Sequence, residues 1–143
     1  MKVELITKIL CADMEEQLIK ITDDVKEAVE NSGVKDGVVF VISAHTTAGI
    51  TMNEGLPCVE KDLIGKLDKM VPYDDVYAHN HFLPSYGATG GNSPGHIKSM
   101  LVGNHCVLPV RDGKLVVGHA QDIYFAEFDG IKNRKYYIEV MGE

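Results

Sequence analysis

The chain has 143 residues, of which 45% are hydrophobic, and its formal net charge is −7 at pH 7. This length and apolar content predict one globular domain spanning residues 1–143 around a single core. The negative charge argues against nucleic acid or an anionic membrane as the main partner, because both bind basic surfaces. Only a local basic patch inside a pocket would reverse this for a small anion.

Neither the N-terminus nor the cysteines indicate an exported or membrane-spanning protein. No apolar run approaches the ~20 residues needed to cross a bilayer. Glu4 places a charge inside what would be the apolar region of a signal peptide. Cys11, Cys58 and Cys106 are odd in number and lack metal-ligand spacing. We therefore expect a cytoplasmic protein with three buried free thiols.

The first third of the chain predicts two strands followed by a helix. The strands are residues 2–10, whose odd-numbered apolar residues share one face, and residues 17–21, which would pair with them as a hairpin. A competing interpretation starts a helix at Asp13, which offers an N-cap. We prefer a helix that begins near Thr22 and ends at Asn31-Ser32-Gly33, because two aspartates in its first turn complement the helix dipole.

The rest of the chain predicts further strands and two helices, separated by a long loop at residues 71–94. Turn residues at Arg111-Asp112-Gly113 and at Asp129-Gly130 predict two hairpins. The sum is an α+β domain in which an antiparallel sheet predominates, with two or three helices in all. The predicted strands are 37–43, 50–53, 105–110, 114–117, 121–128 and 134–141, and the helices run from Pro57 to before Pro72 and from Ser93 to Gly103.

The histidines are the candidate functional residues. His45 follows the apolar strand at 37–43, His79 and His81 lie in the predicted loop, and His96 opens a helix. Three imidazoles from separate segments could converge on one divalent cation, as in a catalytic zinc site. The spacing is a weak signal, because no His-x-x-x-His pair is present, and a single histidine is more often an ordinary core or surface imidazole.

Two other features near the histidines have alternative interpretations. Glu54 is either a carboxylate that ligates or orients a metal ligand, or a solvated acid at a strand end. The glycine-rich run from Gly87 to His96 leads into a helix, so its amides could form an anion cradle, with charge added by Lys98 and Arg134. The alternative for the glycine-rich run is a flexible loop with an ordinary helix cap, and both interpretations stay open.

Short motifs along nearly the whole chain resemble, as an ordered set, those of a known family. They are His45-Thr46-Thr47-Ala48-Gly49-Ile50-Thr51-Met52-Asn53-Glu54, Asp62, Tyr77-Ala78-His79, Gly95-His96-Ile97-Lys98-Ser99, Leu108-Pro109-Val110, Asp112-Gly113-Lys114-Leu115, Gly118, Gln121 and Arg134. The family is the YjbQ-like family, also called the secondary thiamine-phosphate synthases. One departure is Gly118-His119-Ala120-Gln121, where the family commonly has Gly-Thr-Trp-Gln; it puts the packing beside Gln121 in question.

The resemblance implies a compact α+β fold with a β-sandwich-like core, a homotrimer, and a polar pocket where His45, His79 and His96 gather. It selects His79 over His81, because the family pattern carries a histidine after a Tyr-x pair. The family name implies an enzyme that joins a pyrimidine diphosphate to a thiazole phosphate with loss of pyrophosphate.

On this basis we expect a divalent metal, zinc or magnesium, to be bound by His45, His79 and His96. The substrate would be a small phosphorylated metabolite. One alternative is a metal-dependent phosphoesterase that uses a metal-activated water, and another is a non-catalytic trimeric protein that binds such a metabolite. The expected catalytic residues are His45, Glu54, Lys98 and Arg134, and the expected ligand-binding residues are Thr47, Asn53, Gly95 and Gln121.

Overall fold

The protein folds into two antiparallel sheets that share one core. The computed structural model describes residues 1–81 and 91–143. Mainly antiparallel α+β architecture with a sandwich-like core is confirmed, and the single turn α3 adds one helix to those predicted. The strands are β1 Lys2–Cys11, β2 Gln17–Lys20, β3 Gly37–Ser43, β4 Ala48–Glu54, β5 His105–Arg111, β6 Lys114–Leu115, β7 Gln121–Glu127 and β8 Asn133–Gly142. The helices of the described residues are α1 Thr22–Ser32, α2 Pro57–Met70, α3 Ala78–His81 and α4 Ser93–Val102.

The core lies between the two sheets. The larger sheet has the strand order β1-β8-β3-β5-β6 and the smaller one β2-β7-β4. Their inner faces and α1 contribute to one apolar cluster. Phe125 of β7 and Tyr136 of β8 join the sheets, with ring centroids 5.8 Å apart. Burying an apolar side chain of this size stabilises the fold by roughly 1.5–3 kcal/mol.

Several elements predicted from local patterns are confirmed. The strand β3 and the helix α1 have the predicted bounds. The helix α1 ends at Gly33, whose φ of 70° favours glycine. The hairpin between β5 and β6 is also confirmed, since Val110 pairs with Leu115 across the turn.

Two predicted hairpins are wrong. The strand β2 pairs with β7 and not with β1. The strand β8 pairs with β1 and β3, so β7 and β8 lie in different sheets. The segment at Asp129-Gly130 carries the chain from the smaller sheet to the larger one. Turn residues thus indicate where the chain bends, but not which sheet the next strand joins.

The predicted loop between α2 and α4 contains one turn of helix, α3. The helix α4 then begins at Ser93 and ends before Gly103, as predicted. Residues 82–90, which include two of the glycines of the glycine-rich run, lie outside the described residues.

The outer face of the larger sheet is apolar and exposed. The odd-numbered apolar residues of β1 share one face, as predicted, but this face is the outer one, since Leu5 is 60% exposed and the even-numbered Ile6 packs against the core. The register places Leu5 in one row with Glu139, Phe40 and Val107 of the neighbouring strands. In this row Leu5 and Val107 are exposed, whereas Phe40 and Glu139 are half-buried, so exposed apolar side chains lie at both ends of the row with a carboxylate between them.

The cysteines differ in exposure. Cys106 of β5 is buried, as predicted. Cys11 and Cys58 are exposed, so the prediction of three buried thiols is wrong for these two. Cys58 lies in the first turn of α2, a helix that has no buried residue.

The helix α2 lies on the surface of the protein. It starts at Pro57 and ends before Pro72, as predicted. No helix in residues 1–81 and 91–143, α2 included, is long and apolar enough to cross a membrane. Three hydrogen bonds attach α2 and the residues just before it: Lys20 to the Gly55 carbonyl at 2.8 Å, Tyr124 to Glu60 at 2.7 Å and Lys98 to Asp68 at 2.6 Å.

Candidate functional site

A pocket opens where β3 ends and the loop to β4 carries His45. Its volume is about 470 Å³, which lies within the usual range of small-molecule sites. The loop forms one wall and α4 the other, so two of the segments singled out in the sequence meet here. We call this site the histidine pocket; it is lined by His45, Thr46, His96, Ser99, Met100 and Asn104, with Gly103.

Strand β8 holds the ring of His45. The backbone N–H of Lys135 donates a hydrogen bond to Nε2 of His45 at 2.8 Å. Because a backbone amide can only donate, Nε2 is the acceptor, and the proton of the neutral ring is on Nδ1. Burial of the ring, and then the positive charge of Arg134, lower the pKa of His45. His45 is therefore held as a neutral imidazole whose free hydrogen-bonding group is Nδ1–H.

This geometry does not fit the predicted metal site. A histidine binds a metal through an unprotonated ring nitrogen, and on neutral His45 that nitrogen accepts the Lys135 hydrogen bond. Within the part of the chain that the structure describes, no three His, Cys, Asp or Glu side chains form a group that could hold a metal ion. The predicted binding of zinc or magnesium by His45, His79 and His96 is therefore not supported.

The three histidines nevertheless lie in one region. His96 lines the histidine pocket together with His45. The ring of His79 contacts that of His96 edge to face, with centroids 5.6 Å apart and an interplanar angle of 73°. Nε2 of His79 is buried and has no hydrogen-bond partner among the described residues. His96 is thus the residue that connects the pocket to His79.

Arg134, a predicted catalytic residue, is buried in an ion pair. Its Nε donates to Glu127 at 2.7 Å, and its terminal nitrogen donates to the same carboxylate and to the Thr47 hydroxyl at 2.8 Å. Glu127 is fully buried and also accepts from the backbone N–H groups of Phe128 and Asp129. The guanidinium of Arg134 is therefore bonded to Glu127 and to the loop that carries His45, and its predicted role as a phosphate ligand is not supported. The sequence analysis missed Glu127, although an acid that ends an apolar strand is a usable signal.

The two threonines after His45 have different roles. Thr47, predicted to bind a ligand, is only 5% exposed, and its hydroxyl accepts the hydrogen bond from Arg134. Thr46 is exposed and lines the histidine pocket. The residue available to a ligand is therefore Thr46.

Lys98, also predicted to be catalytic, lies outside the histidine pocket. Its side chain is fully buried, and its ammonium group donates to the carboxylates of Asp68, at 2.6 Å, and Glu16. The ammonium nitrogen lies 5.7 Å from the centroid of the Tyr73 ring. Desolvation lowers the pKa of Lys98, but hydrogen bonds to Asp68 and Glu16 outweigh it and raise the pKa overall. This cation holds α4 to α2, and its predicted role in phosphate binding is not supported.

In the described part of the glycine-rich run, residues 91–96, the first amides of α4 are bonded within the chain, and residues 87–90 lie outside the described residues. Pro94 has no N–H, and the amides of Gly95 and His96 both donate to the Asn92 carbonyl, at 3.0 and 3.3 Å. Gly95 serves close packing instead, because a Cβ there would lie 2.8 Å from the carbonyl oxygen of Phe128. The absence of a side chain brings the helix against the end of β7.

Three predicted site residues lie at the far end of β4. Asn53 and Glu54 are exposed there, and Glu54 pairs with Gln121 of β7. The strand has seven residues, so at the usual rise per residue its two ends are about 20 Å apart. Since the loop that carries His45 joins the other end, one chain does not bring these three residues to the histidine pocket.

Charges of both signs lie near His45. Three cations, Arg134, Lys135 and Lys132, each lower the pKa of His45, and Glu127 opposes them. A local basic patch is the condition under which an acidic protein binds a small anion in a pocket. Among the described residues, Arg134 pairs with Glu127 and Lys132 with Asp129, so Lys135 is the cation near His45 that has no carboxylate partner.

The fold and the pocket define a class: α+β proteins with two antiparallel sheets and a histidine after a central strand. A family model described as UPF0047 protein YjbQ-like matches residues 7–143. A UPF0047 protein of Methanocaldococcus jannaschii is 40% identical over 129 residues, which are 90% of this chain and 87% of that protein. YugU of Bacillus subtilis is 38% identical over 128 residues, which are 89% of this chain and 91% of that protein. This chain belongs to the YjbQ-like family of UPF0047 proteins.

Solved structures share the fold. A YbjQ-like protein of unknown function from Sulfolobus solfataricus P2 has a TM-score of 0.92 and 31% identity, and the match covers 99% of each chain. An uncharacterized conserved protein from Clostridium acetobutylicum has a TM-score of 0.86 and 41% identity, over 95% of this chain and 99% of that one. Neither of these similarities supports thiamine-phosphate synthesis.

Proposed function

We propose that this protein is an enzyme that binds a small phosphorylated metabolite in the histidine pocket. The observation that carries the proposal is the hydrogen bond from Lys135 to His45, which leaves Nδ1–H as the free group of the ring. Lys135 adds positive charge close to that ring, whereas the charge of Arg134 is balanced by Glu127. Oriented donors beside positive charge bind phosphate oxygens.

Three side chains of the pocket have separate roles in this proposal. His45 donates to a phosphate oxygen, and the exposed hydroxyl of Thr46 is a second donor. His96 is the proposed acid–base group, because its imidazole lines the pocket beside His45, whose acceptor nitrogen is already occupied. The reaction suggested by the family resemblance is the joining of a pyrimidine diphosphate and a thiazole phosphate. It requires stabilisation of a departing pyrophosphate, which is what these donors provide.

The test compares single histidine variants in binding and in turnover. Calorimetry with inorganic phosphate and with pyrophosphate should show binding to the wild type and weaker binding, by about tenfold, to His45→Ala. Chromatography of the two phosphorylated substrates should show product with the wild type and none with His96→Ala. His119→Ala is the matched control, because His119 is exposed and outside the pocket. Equal phosphate binding by wild type and His45→Ala would contradict the proposal.

A second candidate function is non-catalytic binding of the same kind of metabolite. It is favoured by the geometry of His45, which presents a hydrogen-bond donor to a ligand and keeps its acceptor nitrogen for Lys135, an arrangement that binding alone requires. Phosphate binding that depends on His45, without turnover of any offered substrate, would support it. A metal-dependent phosphoesterase has less support, because the described residues form no group suited to a metal ion.

We also propose that the chain forms the homotrimer that the family resemblance suggests. The support is the apolar outer face of the larger sheet, where Val3, Leu5 and Val107 are 56%, 60% and 45% exposed. Exposed apolar surfaces of this extent usually mark contacts between proteins. Sedimentation equilibrium should give three times the chain mass of 15.7 kDa, and Leu5→Asp should give a smaller species. A wild-type monomer would contradict this proposal.

A further inference from the structure

Two consecutive residues of β8 hold the two ends of the tripeptide His45-Thr46-Thr47. The backbone N–H of Lys135 donates to Nε2 of His45 at 2.8 Å. The guanidinium of Arg134 donates to the Thr47 hydroxyl at 2.8 Å and to the Thr47 carbonyl at 3.4 Å. Thr46 lies between these anchors, exposed to the pocket. One strand therefore determines where both proposed phosphate donors lie.

Glu127 in turn holds Arg134. Its carboxylate accepts two hydrogen bonds from the guanidinium and one each from the amides of Phe128 and Asp129. The amide of Phe128 also donates to the Thr47 carbonyl, at 3.1 Å. The end of β7, the start of β8 and the loop before β4 thus meet at one buried ion pair.

Stability alone does not explain such a pair. Apolar residues of the same volume are often as stabilising as a buried ion pair, because removing two charges from water is costly. What apolar residues do not provide is direction: a guanidinium places its donors in a fixed plane, toward Glu127 and Thr47 at once. The arrangement specifies a geometry for the loop.

We propose that the buried Arg134–Glu127 pair is a positioning device that orients the loop, so that His45 presents Nδ1–H and Thr46 its hydroxyl to one ligand. Arg134 and Glu127 are positioning residues and touch no ligand themselves. The identity of the ligand as a phosphate rests on the proposed function. The orientation and tautomer of His45 do not, and they can be measured separately.

The test uses Arg134→Lys, which keeps the positive charge but cannot bridge Glu127 and Thr47 in a plane. Nitrogen chemical shifts of the His45 ring, measured at pH 8, report its tautomer, and calorimetry reports the affinity for inorganic phosphate. We expect the Nδ1–H tautomer in the wild type. In Arg134→Lys we expect a mixture of both tautomers and an affinity for phosphate about tenfold weaker, as for loss of a hydrogen bond to a charged group.

The control is Tyr136→Phe, which removes a hydrogen bond to Asp24 from the same strand without altering the contacts of Thr47. It should leave both readouts at wild-type values, so that loss of stability alone is excluded as the cause. If Arg134→Lys does not fold, Thr47→Val removes the hydroxyl contact in a folded protein. We expect it to weaken phosphate binding about threefold and to admit the second tautomer of His45, because one of the two hydrogen bonds from Arg134 to Thr47 is lost.

The outcomes separate the two proposals. Wild-type tautomer and phosphate affinity in both Arg134→Lys and Thr47→Val would overturn the positioning role. A changed tautomer in a protein whose wild type binds no phosphate would support the positioning role and remove the proposed function. Phosphate binding by the wild type that neither variant weakens, with the tautomer unchanged, would support the function and overturn the positioning role.

Discussion

Arg134 and Lys98 are both buried cations held by carboxylates, yet their surroundings differ. The partner of Arg134, Glu127, is fully buried, whereas the side chain of Asp68, a partner of Lys98, is 51% exposed. An open cavity of about 360 Å³ borders Asp68, so water reaches one pair and not the other. Both cations were expected to bind phosphate, and both instead bond within the protein. Arg134 orients the histidine pocket, and Lys98 attaches a surface helix.

The largest predicted effect comes from removing the closed pair. Arg134→Ala leaves the Glu127 carboxylate buried without its cation, so we expect the free energy of unfolding to fall by about 3–5 kcal/mol. Urea denaturation measures this. The double variant Arg134→Met with Glu127→Leu removes both charges and should be more stable than the single variant. If Arg134→Ala lowered the free energy of unfolding less than the double variant does, the Glu127 carboxylate would be accessible to water.

Removing the other cation should have a smaller effect. Lys98→Met leaves Asp68 and Glu16 without their cation, but both carboxylates border the open cavity and can be hydrated there, so we expect a loss of about 1–3 kcal/mol. Asp68→Asn, which changes the acceptor of the Lys98 hydrogen bond, is the matched control and should lower the free energy of unfolding less. If Lys98→Met destabilised the protein as much as Arg134→Ala, the contrast between the two sites would be wrong.

The dependence of stability on pH should also distinguish the two sites, because His45 lies near Arg134 and not near Lys98. Its folded pKa is lowered, first by desolvation and then by Arg134, so the fold favours the neutral ring. This contribution to stability is complete above the unfolded pKa of about 6.5 and is lost as pH falls through the folded pKa. The unfolding free energy should therefore decrease more between pH 8 and pH 5 in the wild type than in His45→Gln. Parallel pH curves for the two proteins would contradict the assigned environment of His45.

The smallest predicted effect concerns another contact of α2. Tyr124→Phe removes the hydroxyl that donates to Glu60 at 2.7 Å, and we expect a loss of about 1 kcal/mol. The ring stays in the core, so only the attachment of the helix is changed. Thermal unfolding measures the loss. Tyr136→Phe is the matched control, because it removes a phenol hydroxyl that bonds Asp24 and does not contact α2. If the amide hydrogens of α2 exchanged with solvent at the wild-type rate in Tyr124→Phe, this hydrogen bond would not hold the helix.

The sequence predicts elements whose causes are local. The bounds of β3 follow from its apolar run, and the end of α1 from Gly33. It does not predict pairing, since β7 joins strands that are distant along the chain. The same limit applies to the site: the amide that holds His45 is 90 residues away, at Lys135. A sequence shows residue types, and only the folded chain shows which lone pairs and donors remain free.

The surface position of α2 determines how this helix responds to solvent. Because none of its residues is fully buried, we expect it to open while both sheets stay folded. Its amide hydrogens should then exchange at rates nearly independent of denaturant, while those of β3 report global unfolding. A protease would cut near Gly65 within the native population, and the cleaved protein would retain its sheets and its histidine pocket.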